Sequence, residues 1–283
     1  MFLKVLGSAA AEGWPATFCD CEACREARRR GGKNIRRRTT YQIGDTVHVD
    51  WGPDSYNSMI SFGLDYSPLR HLFITHAHQD HWCPEELAWR RRGFSQIPEG
   101  SHLAVYGNSH VAEGLLKENP DLEAIAAEFR AVKPYEPIEL GPDFTAYGFT
   151  ASHASEDELA LNYLFMYQGR GLVIGNDTGW WIPESWDFLQ GFSLSLVVMD
   201  CTSGPLGTGP RDQSTSWVGT HHLNCEWVVE VRDELARRGA LTADHTFIAN
   251  HFSHNGGWLH EQLEDFFTPH NILVGYDGLE IDL

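Results

Sequence analysis

HLFITHAHQDH, residues 71–81, decides how this chain is read. The apolar run Leu72 to Thr75 has the composition of a short buried strand. Directly after it come His76, His78, Asp80 and His81, four metal-capable side chains within six positions. A loop at a strand end can turn imidazole nitrogens and a carboxylate toward one point, the donor set that zinc or manganese takes. The spacing also divides the donors. His76 and His78 can share one ion while Asp80 and His81 reach a second about 3.5–4 Å away, the usual separation in two-metal hydrolytic sites.

Working outward, short apolar runs recur between turn-forming clusters. Met1 to Leu6, Tyr41 to Asp50, Leu103 to Tyr106, Phe144 to Phe149, Leu161 to Met166, Gly171 to Ile174, Leu194 to Met199, Thr246 to Ala249 and Ile272 to Val274 read as strands, several buried on both faces. Helical patterns occupy Pro84 to Arg92, Val111 to Asn119, Cys225 to Arg238 and Leu259 to Phe267. Many strands with few helices predict sheet packed on sheet with helices outside, a layered α/β sandwich in one domain. Three strand ends carry further donors: His153 after FTAYGFTA, Asp177 after GLVIG, and His251 with His254 after HTFIA.

THAHQDH resembles the T-H-x-H-x-D-H signature of the metallo-β-lactamase superfamily of hydrolases. The resemblance implies its αββα four-layer sandwich over residues 1–283. It also implies two divalent ions, zinc or manganese, with His76, His78 and His153 on the first, Asp80, His81 and His251 on the second, and Asp177 between them. A finer resemblance rests on GSAAAEGWPATFCDCEAC (7–24), Arg37-Arg38, Val105-Tyr106-Gly107, Val198 to Cys201, His251-Phe-Ser-His254 and the C-terminal VGYDGLEI. These motifs are similar to those of the phosphoribosyl cyclic phosphate phosphodiesterases of the carbon-phosphorus lyase pathway, and they run from end to end of the chain. A small phosphodiester, cyclic or nucleotide-like, is the substrate this implies. Ester, lactone or β-lactam hydrolysis and a non-hydrolytic role in cofactor biosynthesis are the alternatives on the same fold.

Cys19, Cys21 and Cys24 are three thiols in one short loop, one ligand short of tetrahedral zinc, with a Cys19–Cys24 disulfide or free thiols as the alternative. The resemblance supplies His254 as the fourth ligand of a structural zinc. It also expects a histidine that protonates the leaving group; His222 and His221 are the candidates, with Asp80 orienting the attacking water.

The 283 residues carry 21 Lys and Arg against 39 Asp and Glu, a net charge of −18. Holding a nucleic-acid backbone requires clustered cations, so nucleic acid and acidic membrane surfaces are disfavoured as partners. The one basic run, Arg28 to Arg38, reads as a solvated helix end or as a local anion site beside a cleft. No run reaches the roughly 18 apolar residues of a membrane span, and no signal peptide is read at the start. Scattered cysteines suit reduced thiols and a cytoplasmic location. None of this excludes a homodimer. Tryptophans beside the motifs, Trp51, Trp82, Trp180, Trp181 and Trp258, predict a narrow, apolar pocket, and residues 202–220 form a Gly/Pro/Ser-rich stretch.

Overall fold

The structure, a computed structural model, describes residues 1–153, 157–205 and 221–283. Most of the Gly/Pro/Ser-rich stretch therefore lies outside the described residues. The first sheet contains β1 (Phe2–Gly7), β2 (Thr40–Ile43), β3 (Val47–Val49), β4 (His71–Phe73), β5 (Leu103–Gly107) and β6 (Ala127–Ala131), laid side by side in that order. The second contains β7 (Pro137–Gly141), β8 (Phe144–Thr150), β9 (Leu161–Tyr167), β10 (Arg170–Gly175), β11 (Leu194–Asp200), β12 (Leu241–Asn250) and β13 (Leu273–Val274), also in chain order across the sheet. The last strand, β14 (Glu280–Asp282), returns to pair with β1 and completes seven strands in each sheet.

Each sheet is half antiparallel and half parallel. β3 to β6 run parallel in one, and β10 to β13 in the other. Neighbouring parallel strands end at the same edge, so residues that follow them are delivered to one side of the sandwich. This is the same geometric reason that open α/β sheets bind ligands beyond their strands' carboxyl ends.

Strand sequence dictates the layers. In Gly171-Leu-Val-Ile174 and Leu196-Val-Val-Met199, alternate side chains point to opposite faces, and both faces are apolar. Leu172, Ile174, Leu196 and Val198 fill the space between the sheets, whereas Val173, Val197 and Met199 face outward onto helices. The inter-sheet core is closed by aromatic rings. Phe73 stacks on Tyr106 within the first sheet, with centroids 4.3 Å apart, and meets Phe165 of the second edge-on at 5.1 Å, a favoured offset and perpendicular pairing.

The second sheet's outer face is covered by α1 (Glu22–Arg30), α4 (Pro183–Leu189), α5 (Cys225–Arg237) and α6 (His260–Phe267). Over the first sheet lie α3 (Ser109–Glu118) and the 3₁₀ turn Pro84–Arg90, with Leu87, Val111 and Leu115 packed on Leu72 and Val105. A further helix, α2 (Ser55–Phe62), follows β3. Helix, sheet, sheet, helix is the four-layer αββα order expected. Among the described residues no helix is long and apolar enough to cross a membrane.

The differences from expectation are local. Tyr41 to Asp50 is a hairpin of β2 and β3 rather than one strand, because Gly44 turns the chain with φ of 54°. Pro84 to Arg92 is a 3₁₀ turn held by i to i+3 bonds such as Glu86 N–H to the Cys83 carbonyl; so short a segment gains little from α-helical propagation. α1, α2 and α4 were not read from periodicity. They have nine, eight and seven residues, and α1 ends in the run Arg28-Arg29-Arg30, which reads as a charged stretch.

Candidate metal centres

The donors expected from the sequence meet at the edge where the parallel strands end. The loop after β4 carries His76, His78, Asp80 and His81; His153 follows β8, Asp177 follows β10 and His251 follows β12. The donor atoms of His76, His78 and His153 all lie within 4.8 Å of one another, as do those of Asp80, His81 and His251. Asp177 sits between the two groups. One of its oxygens is 2.8 Å from His81 Nε2 and 3.0 Å from His251 Nε2, and the other is 3.7 Å from His153 Nε2.

These are distances without hydrogen-bond alignment. His81 Nε2, His153 Nε2, His251 Nε2 and Asp177 Oδ2 are all buried and all lack a hydrogen-bond partner. Unpaired buried polar atoms are costly, and four facing a common space are accounted for by an ion that each can ligate. The donor set of imidazole and carboxylate fits zinc or manganese. Backbone geometry agrees, since Asp177 and His251 hold left-handed φ of 42° and 62°, conformations that non-glycine residues adopt at a cost and that cluster at functional sites.

The electrostatics favour positive charge at this point. Burial disfavours charge on His81 and His251, but the surrounding carboxylates outweigh it. Asp177, Asp80 and Asp50 raise His81 well above the ordinary histidine range, and Asp177 with Asp200 lifts His251 to about 10. Asp177 is held well below the usual carboxylate range because His251 and His81 outweigh its burial. His153 is different: burial keeps it neutral, at about 4, and suited to ligation.

Two carboxylates that the sequence reading left without a role hold the rings in place. Asp50 ends β3's loop side, fully buried, and accepts from His81 Nδ1 at 2.7 Å, from Thr75 N–H at 2.8 Å and from the Thr75 hydroxyl at 3.0 Å. Thr75 in turn lies 3.0 Å from His76 Nδ1. Asp200, the last residue of β11, repeats the arrangement in the second sheet. It bonds His222 Nδ1 at 2.8 Å and the Thr202 hydroxyl at 3.1 Å, and that hydroxyl is 2.8 Å from His251 Nδ1. The usable signal was the one that exposed Asp177, an acid closing an apolar strand: TVHVD and LVVMD both end this way. Asp50→Asn is expected to lower affinity for the catalytic ions about 10–100-fold, the usual effect of removing a carboxylate behind a ligating histidine; chelator competition measures it.

The two candidate acids separate cleanly. His222 lines a pocket of about 200 Å³ together with Asp80, His153, Asp177, Thr202 and His251. The ring of its neighbour His221 is exposed and outside that lining; its backbone carbonyl lies 3.0 Å from His153 Nδ1.

The cysteine loop forms a second cluster. Cys19, Cys21, Cys24 and His254 bring their donor atoms within 4.8 Å of one another, and all six cysteines of the chain are free thiols, so no Cys19–Cys24 disulfide forms. Cys21 caps α1, its sulfur accepting from Cys24 N–H, and Ala16 N–H donates to Cys24 sulfur. The Cys21 N–H donates to the Cys19 sulfur and lowers that thiol's pKa, whereas burial raises that of Cys24. His254 Nε2 lies 3.3 Å from Glu12, which also accepts from Ser253 and lines the pocket that holds His222.

Two expectations are corrected. The Arg28 to Arg38 run is not an anion site, because its cations are engaged within the protein. Arg28 bonds the Cys19 carbonyl, Arg29 and Arg30 pair with Glu26, and Lys33 with Glu264. Arg36 is buried against Ser8, the Gly275 carbonyl and His260, while Arg37 pairs with Asp277 and Arg38 with Asp54. The tryptophans do not narrow the metal pocket either. None of Trp51, Trp82, Trp180, Trp181 and Trp258 is in its lining; Trp181 is a core residue bonded to Asn162, and Trp258 packs on Phe266.

No known family's sequence profile matches the chain, and no curated protein does. Solved structures do. A diphosphatase of the PhnP family matches the whole chain and 97% of its own at 21% identity, with a TM-score of 0.74. Zinc-bound PqqB from Methylobacterium extorquens matches over both full lengths at 16% identity and TM-score 0.75. The metallo-β-lactamase fold protein YhfI from Bacillus subtilis matches 99% of this chain and 98% of its own, at 16% identity and TM-score 0.67. At such identities the likeness carries architecture, and by that architecture the protein has the metallo-β-lactamase fold.

Proposed function

We propose that this chain is a two-metal phosphodiesterase acting on a small cyclic or nucleotide-like phosphodiester, of the phosphoribosyl 1,2-cyclic phosphate type. The observation that carries it is His222, bonded to Asp200 and lining the same small pocket as His78, Asp80, His153, Asp177 and His251. When bound, the divalent ions would supply Lewis acidity that activates a water and offsets phosphate charge. His76, His78 and His153 would hold one ion, Asp80, His81 and His251 the other, and Asp177 would serve both.

The chain's own groups account for the remaining steps. Asp80, at the pocket wall, orients the attacking water. His222 is held on the pocket wall by its Nδ1 bond to Asp200, and there it would pass a proton to the departing alkoxide. Asp200 is kept ionised for this task, at about 2, because His222 and the hydrogen bonds around it outweigh its burial. A pocket of about 200 Å³ and an acidic surface favour a small ester over RNA. The PhnP-family diphosphatase among the fold relatives supports phosphorus chemistry.

Elemental analysis paired with a substrate panel is the test. The expected result is three metal equivalents per chain and turnover of bis(p-nitrophenyl) phosphate well above that of p-nitrophenyl acetate or a β-lactam. Turnover of the carboxylic ester alone would replace the phosphodiesterase reading with an esterase or lactonase.

A further inference from the structure

A second cavity lies apart from the metal pocket. It measures about 870 Å³, and its lining shares no residue with that of the catalytic pocket. Its volume lies in the range of sites for drug-sized ligands. Its walls come from α2 and the loop after it, from the 3₁₀ turn 84–90 and from residues 95–98.

Two kinds of side chain dominate it. Four aromatics, Trp51, Tyr56, Tyr66 and Trp89, line the space. Trp51 and Tyr66 are fixed at 5.0 Å and 59° to each other, and Trp89 packs edge-on to Phe94 at 5.2 Å. Trp51 is held from behind, since its N–H donates to the His81 carbonyl at 2.7 Å and its carbonyl accepts from Cys83 at 2.8 Å. Tyr56 and Trp89 are 66% and 53% exposed, an unusual position for large rings unless something covers them.

The charged groups are two carboxylates, Asp65 and Glu86, and one guanidinium, Arg90. Asp65 is pinned by the Ser67 N–H at 2.8 Å and the Ser67 hydroxyl at 2.9 Å. Arg90 is turned away to the carbonyls of Ile125 and Ala126, at 2.9 and 3.2 Å. Electron-rich ring faces with an excess of carboxylate are the elements of an aromatic cage for a cation. The overall charge of −18 acts in the same direction.

We propose that this cavity is a second ligand site, separate from the catalytic pocket, and that it takes an apolar organic cation: a quaternary or tertiary ammonium carried on an aromatic or alkyl body. The aromatic rings face the ammonium group, Asp65 and Glu86 balance its charge, and the apolar walls take its body.

The probe is benzyltrimethylammonium, compared with neopentylbenzene, its uncharged carbon isostere, on the full-length protein by tryptophan indole NMR shifts. Saturable binding of the cation is expected, at least tenfold tighter than that of the isostere and weakened by added salt. Trp89→Ala and Glu86→Gln, both on the cavity wall, should each weaken it at least fivefold with metal content unchanged. Equal binding of the two probes, no saturable binding, or unchanged affinity in both variants would overturn the proposal. So would a dimer that Trp89→Ala dissociates with no cation binding, which would assign this face to a second copy of the chain. These readouts do not involve catalysis, so failure here leaves the phosphodiesterase reading standing.

Discussion

His222→Ala is expected to lower kcat by about 10²–10⁴-fold while the protein keeps both catalytic ions, the range lost when a positioned proton donor is removed. The basic limb of its activity–pH profile should disappear, because that limb reports the donor losing its proton. The result discriminates between two roles that the geometry leaves adjacent. His222 lies with Asp177, Asp200 and His251 within 4.8 Å of common donor atoms, so a variant that lost an ion along with its activity would make His222 a ligand. His221→Ala is the control. Its ring lies outside the pocket lining, and the carbonyl near His153 survives the substitution, so kcat should change by less than about threefold. Asp200→Asn should fall between them, at about 10–100-fold, since it disturbs the orientation of His222 and His251 without removing either ring.

Cys21→Ser should release one zinc equivalent and destabilise the fold by more than about 3 kcal/mol, because the binding energy of a structural zinc is folding energy. For a chain of this size that corresponds to a fall in Tm of roughly 10 °C. Trp14, Ala16 and Cys24 are buried at the two ends of the N-terminal loop, so the ion would chiefly fix the stretch between them. Cys19 and Cys21 are only partly buried and Phe18 is wholly exposed. Retention of the metal should also weaken as pH falls. Zinc takes thiolates, and burial pushes the Cys24 thiol up to about 12; protons therefore compete with the ion below that range, and the competition grows with acidity. Chelator titrations at pH 6 and pH 8 measure it, with affinity expected to drop more than tenfold between them. Unchanged zinc content and an unchanged Tm in Cys21→Ser would remove the structural zinc. Catalysis should suffer as well, since His254 is three residues from His251 and Glu12 joins the His254 loop to the pocket.

The four-layer order was legible in the sequence, and so were the stretches whose side chains the structure brings together in the two clusters. The reason is local: strands buried on both faces appear as continuous apolar runs, and the histidines and Asp177 come one or two residues after such a run or in the loop it opens, as His76 follows HLFIT and Asp177 follows GLVIG and Asn176. Periodicity did not reveal α1, α2 or α4, whereas α6, equally short, was legible in Leu259 to Phe267. The tertiary structure decided what depends on contacts between distant residues. Asp50 meets His81 across 31 positions and Asp200 meets His222 across 22, pairings set by which strands lie side by side at one edge. The same contacts placed His222 in the pocket and left the His221 ring outside it, though the two are adjacent in the chain. They also decided between the two readings of Arg28 to Arg38, whose cations are engaged in ion pairs and hydrogen bonds with the rest of the chain, and placed Trp51 on a separate cavity rather than in the metal pocket. Strand ends announce themselves in a sequence; what stands opposite them is fixed only when the sheets assemble.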